Sequence, residues 1–129
     1  MKNDALRNTL QITKALADSH RLRILMLLQD GELCVCQIVE VFDLAMSTIS
    51  KHLSILAAAD LVVSRKEGRW AYYRLPDAHN NKTIEAILQW LQTSLQGDEQ
   101  IQKDHQKLAT DVACTPQDLR KRQKKGTKA

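Results

Sequence analysis

The chain has 129 residues and a formal net charge of +4, a size that suits one domain with a terminal extension and a charge compatible with a polyanionic partner. Hydrophobic residues make up 43% and the aromatics are one Phe, two Trp and two Tyr, so the expected core is aliphatic. No run of about 18 apolar residues is present to span a membrane and Met1-Lys2-Asn3-Asp4 does not open an export signal; the chain reads as cytoplasmic, where three cysteines are thiols or metal ligands before they are a disulfide frame.

Periodicity predicts a first helix over 5–17, with Leu6, Leu10, Thr13 and Ala17 on one stripe and Ile12 and Leu16 beside it. Asp18-Ser19 is the cap for a second helix, 20–29, apolar almost all round and therefore central. Asp30-Gly31 stops it. Next comes Leu33-Cys34-Val35-Cys36-Gln37-Ile38, which opens a third helix running to about Phe42. Two thiolates favour one soft, thiophilic ion. On a regular helix Cys34 and Cys36 would point about 200° apart, so capture of an ion and formation of the helix start compete for the same residues.

After the brief turn Asp43-Leu44-Ala45-Met46, a fourth helix begins at Ser47 and ends near Ala59-Asp60. Ile49, Leu53 and Leu56 share its inner face; Ser47, Thr48, Lys51 and Ser54 share the outer one. Two short helices joined by a tight turn, the second showing small polar residues and a cation outward, form a helix-turn-helix pattern. Ser47, Thr48, Ser50, Lys51 and His52 are the candidates for base-edge or phosphate contacts. A strand at 61–65, a turn over Lys66–Arg69 and a returning strand at 70–75 predict a hairpin wing, with Arg65, Lys66 and Arg69 as phosphate-facing cations.

A helix at 81–95 carries Ile84, Ile87, Leu88, Leu91 and Leu95 along one stripe, read as the face for a second subunit and helped by Leu6 and Leu10 of the first helix. The reading therefore places a winged helix-turn-helix DNA-binding and dimerisation domain at 1–96. A polar tail follows at 97–129, with a weak helix at 100–113, Cys114, and a basic run at 119–128. The fold class is mainly α with a β-hairpin wing, homodimeric.

Glu32-Leu33-Cys34-Val35-Cys36, the helix-turn-helix with Ser50-Lys51-His52-Leu53, Asp60-Leu61-Val62, and Arg65-Lys66-Glu67-Gly68-Arg69-Trp70-Ala71-Tyr72-Tyr73-Arg74-Leu75 together resemble the ArsR/SmtB family of metal-sensing winged-helix repressors, and within it the arsenic-responsive ones, over residues 5–95. The resemblance implies a homodimer on double-stranded operator DNA, released when As(III) or Sb(III) binds Cys34 and Cys36. It implies no organic cofactor and no enzymatic activity. Such repressors often carry a third cysteine a few residues after the pair. Here Gln37, Ile38 and Val39 follow, which leaves Cys114 as the auxiliary candidate beside a solvent ligand. Ala45 stands where a capping Ser is common, leaving Ser47 or Asp43 as caps, and Asp60 stands where Gly usually ends the helix. The alternatives are a zinc, cadmium or thiol-redox sensor of the same fold, and a small thiol-disulfide enzyme, which the CxC spacing disfavours against CxxC.

Overall fold

The computed structural model describes residues 2–77 and 81–110; Cys114 and the basic run at 119–128 lie outside them. In chain order the elements are α1 (Lys2–Leu16), α2 (Ser19–Leu27), a 3₁₀ turn (Leu28–Asp30), β1 (Leu33–Cys34), α3 (Val35–Phe42), α4 (Met46–Ala58), β2 (Val63–Glu67), β3 (Trp70–Arg74), α5 (Lys82–Leu95) and α6 (Glu99–Thr110). This is the winged helix-turn-helix that the sequence predicts, with one element it did not show, the strand β1, and with the weak helix expected at 100–113 packed as α6.

Helix α2 is central because it has no polar face in its second half: Ile24, Leu25, Met26 and Leu27 are all buried, as is Leu28 of the turn that follows. Asp18 caps it, its Oδ1 accepting from the backbone N–H of His20 at 2.8 Å and of Arg21 at 3.2 Å. Gly31, at φ 143°, ends the following turn in a region that only glycine enters without strain. On α1 the packed face is Ile12, Ala15 and Leu16, while the predicted stripe of Leu6, Leu10, Thr13 and Ala17 is exposed.

Helix α3 and α4 form the helix-turn-helix. Asp43 turns the chain between them at φ 54°, and Asp60 ends the segment after α4 at φ 61°. Asp is among the few residues that tolerate this left-handed region, which accounts for Asp60 in place of Gly. The expected side-chain cap on α4 is not there: Ala45 is the N-cap residue and no side chain bonds the free N–H groups. Asp43 instead terminates α3.

The sheet is β1-β3-β2, antiparallel throughout. β2 and β3 join through a two-residue turn, Gly68-Arg69, since Glu67 pairs with Trp70. Gly68 takes φ 63° there, a value the tight hairpin turns require. The strand therefore runs two residues further than predicted, and Lys66 and Glu67 belong to β2.

Part of the stripe on α5 packs within the chain itself. Ile84, Leu88 and Leu91 are buried inside this one chain, and Ile87 and Leu95 pack half-buried against the same core. Helix α5 packs against α2, and α6 lies against α2 and α3 and enlarges the same core. Segment 97–110 is thus part of the domain rather than a polar tail. Ile101 is buried, and Asp104, 3% exposed, forms a forked ion pair with Arg23 of α2 at 2.8 and 2.7 Å. Gln100 Nε2 donates to the same carboxylate at 3.0 Å, and the Arg23 guanidinium lies 4.4 Å from the centre of the Phe42 ring. Removing the carboxylate strands a partly buried cation. We expect Asp104→Ala to cost somewhat less than the ~3–5 kcal/mol of a fully buried pair, because Arg23 keeps 20% exposure. Urea unfolding measures it; a loss below about 0.5 kcal/mol, the scale of a surface pair, would show that α6 is not anchored by this contact.

Candidate nucleic-acid interface and thiol site

The recognition helix is α4. Its apolar residues Ile49, Leu53 and Leu56 are fully buried, and this turns Ser47, Thr48, Ser50, Lys51 and Ser54 to the exposed side. Small hydroxyls and one ammonium on a protruding helix suit entry into a major groove. On the wing, Lys66 and Arg69 are exposed at and beside the turn.

Two predicted DNA contacts are placed otherwise. His52 is half-buried on the inner side of α4, its Nδ1 3.2 Å from Arg21 Nη1 and its ring 5.6 Å from that of His20. Arg21 also donates from Nε to Ala15 O at 2.7 Å and from Nη2 to Lys14 O at 3.1 Å, so it closes the end of α1, touches the cap of α2 and holds α4. Arg65 is exposed but occupied. It makes three donor contacts to Glu32 at 2.7–3.1 Å and one to Glu67 at 3.0 Å, and its guanidinium lies over the Tyr72 ring at 4.5 Å. Sequence reasoning passed over Glu32, Arg21, Arg23 and Asp104, because each acts through a partner distant in sequence.

Ligand atoms of Asp18, His20 and His52 lie within 4.8 Å of one another. The guanidinium of Arg21 already stands among them, 4.0 Å from Asp18 Oδ2, so the cluster is balanced by a side-chain cation. Burial lowers the His52 pKa from its usual 6.5; Asp18 opposes this, while Arg21, His20 and Lys51 reinforce it. Burial alone would raise the Asp18 carboxyl, but the N–H groups of Arg21 and His20 outweigh it and hold the acid below its usual 3.8. The unfolded chain therefore protonates His52 more readily than the folded one does, and stability falls as pH drops through 6.5. The Asp18 contribution is lost only at lower pH, below 3.8. We expect the melting temperature to decline between about pH 7 and pH 5, with a shallower decline in His52→Gln. Parallel curves for the two proteins would contradict the assignment.

The two cysteines of the described residues are both thiols. Cys34 is fully buried, sits in the last position of β1 and is the N-cap residue of α3 at φ −72°, ψ 145°. Its backbone N–H donates to Gln37 Oε1 at 2.9 Å, the reach-back contact of a capping box. Cys36 lies in the first turn of α3, half-buried. The pair thus straddles the helix start, one residue extended and one helical. Two soft donors at the start of α3 fit a thiophilic ion, provided Cys34 leaves its buried position. Cys114, the third candidate ligand, lies outside the described residues.

The fold agrees with known proteins. The family model described as "Bacterial regulatory protein, arsR family" matches residues 18–64. The chain is 43% identical over 81 residues to the arsenical resistance operon repressor of Bacillus subtilis (strain 168), covering 62% of this chain and 77% of that one. It is 45% identical over 67 residues to the protein of the same name from Escherichia coli (strain K12), covering 51% and 57%. Among solved structures, the homodimeric winged helix-turn-helix DNA-binding domain Mb0332 of Mycobacterium bovis, described as a possible ArsR-family regulator, superposes with a TM-score of 0.61 at 31% identity over 72% of this chain and 82% of that one. Fold and relatives are those of transcriptional regulators rather than enzymes, and no described helix is long and apolar enough to cross a membrane. The chain belongs to the arsR family of bacterial regulatory proteins.

Proposed function

We propose that the protein is a cytoplasmic transcriptional repressor that binds operator DNA as a homodimer and is released by As(III) or Sb(III) held by the Cys34 and Cys36 thiolates. The observation that carries this reading is the position of Cys34. One residue is at once a soft donor, the end of β1 and the start of the first helix of the helix-turn-helix. Closing two thiolates on one ion draws Cys34 out of the core and disturbs the first turn of α3. Helix α3 packs against α4, so the disturbance reaches the surface that meets DNA. A swing from 99% to 1% in the binding-competent state takes about 5.5 kcal/mol of differential ion binding. The third place on the ion is filled by Cys114 or by solvent.

The two α4 helices of a dimer imply a pseudo-palindromic operator with half-sites about 10 bp, or a multiple of it, apart. Gel-shift binding to the DNA upstream of its own gene tests the reading. Arsenite and antimonite should release the complex at concentrations where zinc and cadmium leave it intact. Absence of a shift would overturn the DNA-binding claim, and release by zinc or cadmium alone would overturn the choice of inducer. Within the same assay, Lys66→Ala should weaken binding to all sequences alike and lower the slope of log affinity against log salt by about 1 per wing. An unchanged slope would remove Lys66 from the interface.

A further inference from the structure

We propose that Glu32 restrains the wing: it holds Arg65, so that DNA phosphate and the cysteine-bearing strand compete for one guanidinium. The inference deepens the function proposed above and rests on its DNA-binding part. Arg65 spends Nε and Nη2 on Glu32, at 2.7–3.1 Å, and Nη1 on Glu67 at 3.0 Å. The guanidinium fork fits carboxylate and phosphate with the same geometry, so a phosphate that takes Arg65 in the same way must displace a carboxylate.

What makes the Glu32 contact more than a surface pair is where it attaches. Cys34 pairs with Tyr72, and Tyr72 pairs with Arg65, so the three form one row across the sheet, one residue per strand. Directly opposed residues point to the same face of a sheet, and the Arg65 guanidinium accordingly covers the Tyr72 ring at 4.5 Å. Glu32 lies two residues before Cys34 and folds over to the far strand. Movement of Cys34 out of the core shifts β1 and with it the carboxylate that holds Arg65. The thiol segment is then wired to the DNA surface by a second route, through the wing, beside the route through α3 and α4.

The test is Glu32→Gln, which keeps size and removes the charge, in wild-type and Arg65→Ala backgrounds, with DNA binding measured over a salt series and no arsenite present. Both residues are partly exposed, so folding should be unaffected, as circular dichroism would verify. We expect Glu32→Gln to bind DNA more tightly and to steepen the salt slope by about 0.9 per wing, so that its advantage over wild type at 50 mM salt exceeds that at 200 mM by about threefold per wing. In the Arg65→Ala background the substitution should have no effect. An unchanged slope, or the same gain without Arg65, overturns the inference; the second result would mean that removing any negative charge suffices. The arsenite arm tests the wiring: Glu32→Gln should change the ratio of DNA affinities without and with arsenite, and a ratio equal to wild type would sever it. Failure of the underlying function appears as a wild type that does not shift DNA. Failure of this inference appears as a wild type that does, with Glu32→Gln matching it.

Discussion

Cys34→Ser and Cys36→Ser are each expected to keep operator binding close to wild type and to abolish release by arsenite. The first half of this expectation comes from the fold. Cys34 is the N-cap residue of α3, and serine is among the best residues for that position. Its hydroxyl can satisfy a free N–H of the first turn where a thiol does so weakly, so the loss of a buried sulfur is offset locally. Cys36 is half-buried in the same turn, where serine costs little. The second half comes from ligand chemistry. A hydroxyl is a hard, protonated donor and a poor partner for a thiophilic ion. With one thiolate gone the ion no longer distinguishes the two states of α3, and a ligand of equal affinity for both states shifts nothing however tightly it binds. Fluorescence anisotropy of labelled operator, titrated with arsenite, reads both halves. A serine variant released at the wild-type arsenite concentration would sink the mechanism.

The second large effect separates the subunit face from the core. Leu6 and Leu10 are 68% and 48% exposed on the outer stripe of α1, and we propose that this row meets the second subunit. We expect Leu6→Glu with Leu10→Glu to give a folded monomer by sedimentation, with DNA affinity greatly reduced because only one recognition helix engages at a time. Leu88→Glu should behave differently. Leu88 packs within the chain itself, and an unpaired carboxylate there costs several kcal/mol, a large part of the ~5–15 kcal/mol of a typical domain. It should give an unfolded or aggregated protein. A folded, monomeric Leu88→Glu would restore the α5 stripe as the principal subunit face. An intact dimer with both α1 leucines replaced would remove α1 from it.

The parts of this structure that were readable in the sequence are those written in local periodicity. Ile49, Leu53 and Leu56 recur at helical spacing and are all buried, which fixes the outward set from Ser47 to Ser54 without a structure. Asp18 before an apolar run reads as a cap and is one. The wing follows from alternation around Gly68. What was not readable shares a cause: each feature depends on a partner far along the chain. Without Asp104 in view, 81 residues away from Arg23, segment 97–110 looks too polar to pack and the α5 stripe looks surplus to the core. Without Glu32, 33 residues from Arg65, that arginine looks like an open wing cation. His52 shows the limit of helical spacing: it borders the outer face in projection, yet Arg21 draws its ring beneath the helix. The strand β1 is two residues long, too short for any alternation to reveal.

X-ray absorption at the arsenic edge of the arsenite-loaded protein reads the ligands themselves. The account predicts at least two sulfurs around arsenic in the wild type, both lost when Cys34 and Cys36 are replaced together by serine; a third sulfur that disappears in Cys114→Ser would identify the remaining ligand. A sulfur shell unchanged in the Cys34→Ser/Cys36→Ser protein, or an oxygen-only shell in the wild type, would contradict it.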